Sequence, residues 1–173
     1  MGRLQEIYPG ARRALFKRYH IGGCSSCGFL PDETLAAVLA RHQNPPLAEV
    51  LAHLVASQEQ DVAMEMDPPE AASRMKQGEK VRLLDIRTRE EWEATRIPGA
   101  EFVNQALVQS LMGAEGRQGL LVFYDHLGKS SLDAAAYFWG HGHENARSLR
   151  GGIDAWALQV DPSIPRYRLE ASS

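Results

Sequence analysis

The chain has two cysteines, Cys24 and Cys27, and both stand in one short segment, His20-Ile21-Gly22-Gly23-Cys24-Ser25-Ser26-Cys27-Gly28-Phe29. A C-x-x-C pair closes so small a loop that a disulfide there adds little to folding stability; in a reducing compartment the spacing points to redox or metal chemistry. The surrounding glycines let the backbone turn tightly and leave sulfur accessible. Three uses compete. A place near the start of the Asp32-containing helix, or cationic Lys17 or Arg18 beside Cys24, would favour its thiolate and make a reversible disulfide or persulfide accessible. Alternatively Cys24 and Cys27 bind a metal. His20 and His42 are then candidate further ligands, or two chains share zinc or an iron–sulfur cluster through four cysteines. The bland use is as two small, partly buried apolar side chains without chemistry, which the glycine-rich setting disfavours.

A second segment with chemical types is Asp125-His126-Leu127-Gly128-Lys129-Ser130-Ser131. It follows the most apolar run, Leu120 to Tyr124, and runs straight into helical composition. A glycine in a strand-to-helix turn can aim backbone N–H groups at an anion, helped by the positive end of the helix. An ordinary turn with Ser131 as N-cap accounts for the same residues. Asp125 as nucleophile or general base would require a cation or a second acid, and Asp133 is the nearby carboxylate in sequence. His126 reads as a general base or as a solvated loop histidine, the latter being commoner.

These residues need elements to position them. From Arg3 to about Gln60 the pattern is helical: Leu15, Phe16 and Tyr19 on one stripe after Pro9-Gly10; Leu35, Val38 and Leu39 on a helix opened by Pro31-Asp32-Glu33-Thr34; and Leu47, Val50, Leu51 and Leu54 on a helix from Leu47 to Ser57. Three short amphipathic helices close only a small core, so this unit leans on a neighbour, a partner or a ligand. Gln58 to Asp61 reads as a polar bridge, which sets domains of residues 1–60 and 61–173. Beyond it strands and helices alternate: strands near residues 64–66, 81–85, 101–103, 120–124 and 146–149, with helices near 68–77, 89–94, 105–112, 132–140 and 152–157. Alternation of this kind predicts an α/β fold with a parallel sheet covered on both faces. Trp92, Trp139, Trp156, Tyr137 and Phe138 are read as packing against that sheet. His141 and His143 are read as a helix-terminating turn.

Three stretches in the second region resemble the rhodanese family: Asp85-Ile86-Arg87-Thr88-Arg89-Glu90-Glu91-Trp92, Arg96-Ile97-Pro98-Gly99-Ala100, and Arg150-Gly151-Gly152-Ile153-Asp154-Ala155-Trp156. The resemblance spans about Met64 to Arg168. It implies a five-stranded parallel sheet with helices on both faces and a cradle loop after the fourth major strand, reading Cys-x-x-Gly-x-Arg-Ser in active members. Aligned on Gly128, that cysteine falls on Asp125 and that arginine on Ser130, while Gly128 and Ser131 are retained and Lys129 adds a neighbouring positive charge. A carboxylate cannot hold a sulfane sulfur, so the resemblance carries the expectation of a degenerate site in which Asp125 takes the N–H groups of its own loop. The binding residues are then His126, Leu127, Gly128, Lys129, Ser130 and Ser131. The segment from about Leu4 to Val55 resembles a small helical family named for a disulfide and associated with hybrid-cluster proteins, which implies a redox or metal-linked role for Cys24 and Cys27.

The resulting expectation is an accessory or binding module of sulfur or redox metabolism that needs no cofactor, with zinc or an iron–sulfur cluster at Cys24/Cys27 as the metal alternative. A sulfurtransferase using Cys24 or Cys27 in place of the missing loop cysteine is the enzyme alternative. A protein partner, or a second copy of the chain, is the expected binding partner. With 19 Lys and Arg against 22 Asp and Glu, a net charge of -3 and no basic block, nothing points to nucleic acid or an anionic membrane surface. Absence of a signal-like or spanning apolar run makes the expected location cytoplasmic, and Glu6 stands where a myristoylation site has Ser or Thr.

Overall fold

The computed structural model describes residues 1–23 and 28–166. The chain divides into two units, Met1–Ala63 and Met64–Ser173. The boundary falls three residues past the polar bridge expected as a linker, because that bridge is helical.

The first unit is all helix: α1 (Gly2–Ile7), α2 (Ala11–Tyr19), α3 (Leu35–Ala40) and α4 (Leu47–Met64). Three rungs join α2 to α4: Arg18 to Glu49 at 2.5 Å, the Ala14 carbonyl to His53 Nε2 at 3.1 Å, and Arg13 to the buried Asp61. The order of the rungs makes the two helices antiparallel. Asp61, 4% exposed, explains why α4 runs past Ser57: its carboxylate has a guanidinium to meet and stays within the helix. Leu15, Ile21, Val38, Leu39, Val50 and Leu54 close the core. Of the expected stripes, Phe16, Leu47 and Leu51 instead face outward. α3 begins later than its acidic residues suggest. Thr34 caps it by accepting from Ala37 N at 3.2 Å, and Glu33, outside the helix, accepts from Leu30 N at 2.6 Å.

The second unit alternates β1 (Glu65–Met66), α5 (Pro68–Lys76), β2 (Val81–Asp85), α6 (Arg89–Ala94), β3 (Glu101–Phe102), α7 (Gln105–Met112), a short 3₁₀ turn (Glu115–Arg117), β4 (Leu120–Tyr124), α8 (Ser130–Gly140), β5 (Ala146–Leu149) and α9 (Gly152–Gln159). All strand pairings are parallel, in the order β1-β5-β4-β2-β3. The two-residue alternation of a strand splits the apolar residues between faces. Leu83, Val122, Tyr124 and Leu149 pack with Ala71, Ile153, Trp156 and Ala157 of α5 and α9. Leu84, Leu121, Phe123 and Ala146 pack with Leu111, Ala135 and Phe138 of α7 and α8. Both faces of the α/β sheet are covered. Tyr137 is the exception to the expected aromatic packing; at 53% exposed it sits on the outer side of α8 while Phe138 points in.

At the carboxyl end of β2 a buried ion pair stiffens the floor beneath the loops. Arg87 Nη2 lies 2.6 Å from Asp85 Oδ2 and also donates to Thr95 O at 2.6 Å, with both side chains at 1% exposure or less. Burial, then the neighbouring Asp85 charge, pushes the Tyr124 hydroxyl far above its ordinary range, so it stays neutral. Among the described residues no helix is long and apolar enough to cross a membrane.

Candidate functional site

The central strand β4 ends at Tyr124, and the chain turns at once through residues 125–129 into α8. Three donors converge on the Asp125 carboxylate. Gly128 N donates to Oδ1 at 2.5 Å, Ser130 N to Oδ2 at 2.8 Å and Ser131 Oγ to Oδ1 at 3.2 Å. The Ser130 amide lies at the start of α8, where N–H groups lack intrahelical partners and the dipole favours negative charge, and the Gly128 amide lies in the turn just before it. A short carboxylate one residue past the strand end meets them without leaving its own loop.

α8 starts at Ser130, two residues earlier than its sequence suggests, so Ser131 is not the N-cap. That position is Lys129, whose side chain makes no cap. The Ser131 hydroxyl, fully buried, lies between Asp125 and Ser148 Oγ at 2.9 Å. A serine hydroxyl has one proton; with that proton on the Asp125 side, Ser148 donates to Ser131. Ser148 is a member of the site that sequence reasoning missed. Nothing in its type marks it, and the register of β5 beside β4 brings it there.

Glycines close the loop from behind. Gly128 has φ +81, and a Cβ on it would lie 2.6 Å from Gly151 N. Gly152 has φ +58, and a Cβ on it would lie 2.3 Å from Asp125 O. The space kept free lets Ile153 N donate to Asp125 O at 3.0 Å and Asp154 N to His126 O at 3.3 Å. The first amides of α9 are thus satisfied by loop carbonyls, and the Arg150-Gly151-Gly152 stretch acts as a clamp on the loop. Arg150 itself pairs with Glu65 at 3.1 Å and Asp67 at 2.7 Å.

The structure gathers Asp125, Gly128, Ser130 and Ser131 of the expected site into one hydrogen-bonded unit. It leaves Leu127 and Lys129 on the rim, with Leu127 49% exposed. His126 is not the solvated loop histidine expected: it is 8% exposed, folded under by the bond from α9 to its carbonyl. Near the opposite end of α8, His141 terminates the helix and His143 is buried against Phe138, with both ring nitrogens lacking a hydrogen bond among the described residues.

Cys24 and Cys27 lie outside the described residues, but their flanks do not. Arg12 Nη1 donates to Gly22 O at 3.2 Å and its guanidinium lies 4.9 Å from the centre of the Phe29 ring. Arg41 Nη2 donates to Gly28 O at 3.3 Å while pairing with Glu33 at 2.6 Å. Arg18, a candidate cation for the thiols, is engaged with Glu49 at 2.5 Å. Among the described residues no three His, Cys, Asp or Glu side chains gather as metal ligands.

Comparison with known proteins bears on the second unit. A sulfurtransferase of Allochromatium vinosum is 34% identical over 100 residues, covering 58% of this chain and 94% of that protein. The adenylyltransferase and sulfurtransferase UBA4 of Candida albicans is 29% identical over 115 residues, covering 62% of this chain and 26% of that one. The chain thus spans about a quarter of the length of such composite relatives. A solved structure of a protein of unknown function from Rhodopseudomonas palustris superposes with a TM-score of 0.50 at 23% identity, over 63% of this chain and 89% of that one, a likeness of fold. The model of the rhodanese-like domain matches residues 67–159, more than half of the 173-residue chain and nearly every element of the α/β unit. The chain belongs to the rhodanese-like domain family.

Proposed function

We propose that this protein is an accessory or binding module of sulfur or redox metabolism. In this reading its rhodanese-like loop carries a carboxylate at the position of the active members' cysteine, and its thiol chemistry resides in Cys24 and Cys27. The observation that carries the reading is the capture of the Asp125 carboxylate by Gly128 N, Ser130 N and Ser131 Oγ. Persulfide relay needs a polarisable sulfur held as thiolate by such donors, and then a vacancy for the incoming oxyanion. Here the donors serve an oxygen nucleophile too weak to carry sulfane sulfur, and an incoming thiosulfate meets like charge. Relatives named as sulfurtransferases support the sulfur-metabolism part of the reading. The module then serves by binding a protein partner of that metabolism.

The test is sulfur transfer from thiosulfate by the native chain, by Asp125→Cys and by the double variant Cys24→Ser/Cys27→Ser. The expected result is no turnover in the native chain and in the double variant. Native turnover that the double variant abolishes would sink the reading and install Cys24 or Cys27 as the nucleophile of a sulfurtransferase. Metal analysis of protein purified under reducing conditions addresses the same cysteines. Stoichiometric zinc or iron would replace redox chemistry by a structural metal centre.

A further inference from the structure

The longest helix of the first unit, α4 (Leu47–Met64), gives one side to its own core and leaves another side uncovered. Val50 and Leu54 are buried and Asp61 meets Arg13, which fixes the inward side. At about 100° per residue, Leu47, Leu51, Val55, Gln58 and Val62 fall within about 80° of one another on a different side. The four aliphatic members of this row are 40 to 50% exposed. Ala48, Ala52, Ala56 and Ala63, all exposed, border it. An outward helix face ordinarily carries several charges, and here Glu59 is the one charged residue beside the row.

The composition of the row selects its occupant. α4 has Glu49, Glu59 and Asp61 but no Lys or Arg, and Arg18 and Arg13 pair with Glu49 and Asp61. An acidic partner therefore finds no cation on this face, and a basic one finds only Glu59. A helix that lies on a membrane surface carries Lys and Arg beside its apolar row, and α4 has neither. What fits is a neutral aliphatic row of the same length, about 22 Å from Leu47 to Val62. From Leu51 onward the spacing is that of paired helices: Leu51, Val55, Gln58 and Val62 stand four, three and four residues apart. Gln58 is the polar exception. Its amide oxygen is cut off from water and has no hydrogen-bond partner among the described residues. A second copy of the row, laid parallel and in register, brings a donor to that height, the Gln58 amide nitrogen.

We propose that α4 pairs with α4 of a second copy of this chain, parallel and in register, to form a weak two-fold dimer. Leu47, Leu51, Val55 and Val62 each meet their own counterpart across the dyad. After rotation about its side-chain bonds each Gln58 donates Nε2 to Oε1 of the other, and this exchange sets direction and register. The alanine border lets the two backbones approach, and the two Glu59 lie on opposite sides of the seam. Four half-exposed aliphatic side chains present on the order of 300 Å² of apolar surface per copy, below the ~800 Å² of a permanent interface, so the pairing is reversible at micromolar concentrations. The dimer is independent of the sulfur-metabolism reading, since it uses no residue of the loop after β4 and neither cysteine.

Sedimentation velocity on the full chain under reducing conditions, from about 1 to about 300 µM, reads the pairing. The native chain is expected to pass from monomer to dimer within that range. Val55→Lys sets two ammonium groups against each other in the seam and should weaken association at least about ten-fold. At about 1 µM, where both proteins are monomers, its melting temperature should match that of the native chain. Gln60→Lys, exposed on the far side of α4, should leave association unchanged. Direction is read by Val62→Cys in a Cys24→Ser/Cys27→Ser background. In the parallel pair the two position-62 thiols meet and close an intermolecular disulfide on mild oxidation, whereas an antiparallel pair holds them about 22 Å apart, beyond disulfide reach. A monomer at every concentration, a dimer that Val55→Lys leaves as tight as native, or a dimer that does not cross-link through position 62 overturns the proposal. If Val55→Lys does not fold, the native concentration dependence and the cross-link decide. Sulfur transfer from thiosulfate is read separately, so failure of the dimer leaves the sulfur-metabolism reading standing.

Discussion

Two segments that bear chemically reactive residue types, the loop after β4 and the one between Gly22 and Gly28, are bounded in opposite senses. In the loop after β4 the closing group is an anion from the loop itself: Asp125 points inward and gathers N–H groups at the start of α8. At Gly22 and Gly28, on the two flanks of the second segment, the bonding groups are cations from helix α2 and from the end of α3, Arg12 and Arg41, which donate to carbonyl oxygens. Each sense follows from what the backbone offers. A strand-to-helix turn presents unpaired donors, whereas the turn after α2 presents carbonyls. The first loop is therefore neutralised from within. Among the described residues the flanks of the second carry two guanidinium groups, Arg12 and Arg41, of which Arg41 is paired with Glu33.

The largest expected effect tests how rigidly the first loop is built. In Gly152→Val the added carbons meet Asp125 O, where the native backbone leaves room for no Cβ, and a β-branched residue must also adopt φ +58. A loss of about 3 kcal/mol or more in denaturant unfolding of the α/β unit is expected. Gly22→Ala strains a similar φ but meets the movable ring of Phe29, so a loss of about 1 to 2 kcal/mol is expected there. Equal losses would show that the two turns are not differently constrained.

A smaller effect comes from removing the internal anion. Asp125→Ala leaves two helix-start amides and the Ser131 hydroxyl without their acceptor, at a cost of about 1 to 2 kcal/mol. The vacated donors then suit an oxyanion. Sulfate should raise the melting temperature of the variant more than that of the native chain at matched ionic strength, since a ligand stabilises only the form that binds it. Identical sulfate responses in the two proteins would mean that Asp125 does not occupy an anion site.

Much of this architecture was legible beforehand, and the reasons differ by element. β2, α6, α7, β4 and β5 fall where alternation and capping residues put them; Thr88, for instance, forms a capping box with Glu91. The length of α4 was hidden because Gln58 to Asp61 look like linker until Arg13 is known to face Asp61. α1 was missed because its six residues carry little apolar periodicity. In the loop, Asp125 and Gly128 could be named from motif spacing, whereas Ser148 could not, since it enters only through strand register. The same limit applied to the cations near the cysteines. Lys17 and Arg18 are closer in sequence than Arg12, but among the described residues Arg18 meets Glu49 and Arg12 meets the Gly22 carbonyl.

The smallest effect concerns the place, among the described residues, where a cation flanking the second segment is compensated. Glu33 is held below the usual carboxylate range, first by the hydrogen bond from Leu30 N, then by the Arg41 guanidinium, with slight burial opposing both. A carboxylate whose folded value is depressed contributes stability that is present above its unfolded value of about 4.3 and is lost as pH falls through the lower folded value. The Leu30 amide, 2.6 Å from Glu33 Oε2, reports this directly. Its nuclear magnetic resonance shift should titrate with a midpoint below the ordinary glutamate value in the native chain. In Arg41→Met the midpoint should rise only partway, because the larger of the two causes is the backbone bond. A native midpoint at or above the ordinary value would mean that Arg41 is not compensated by Glu33. Arg41 beside Gly28 would then keep a charge that Glu33 does not balance, and the contrast with the self-neutralised loop after β4 would widen.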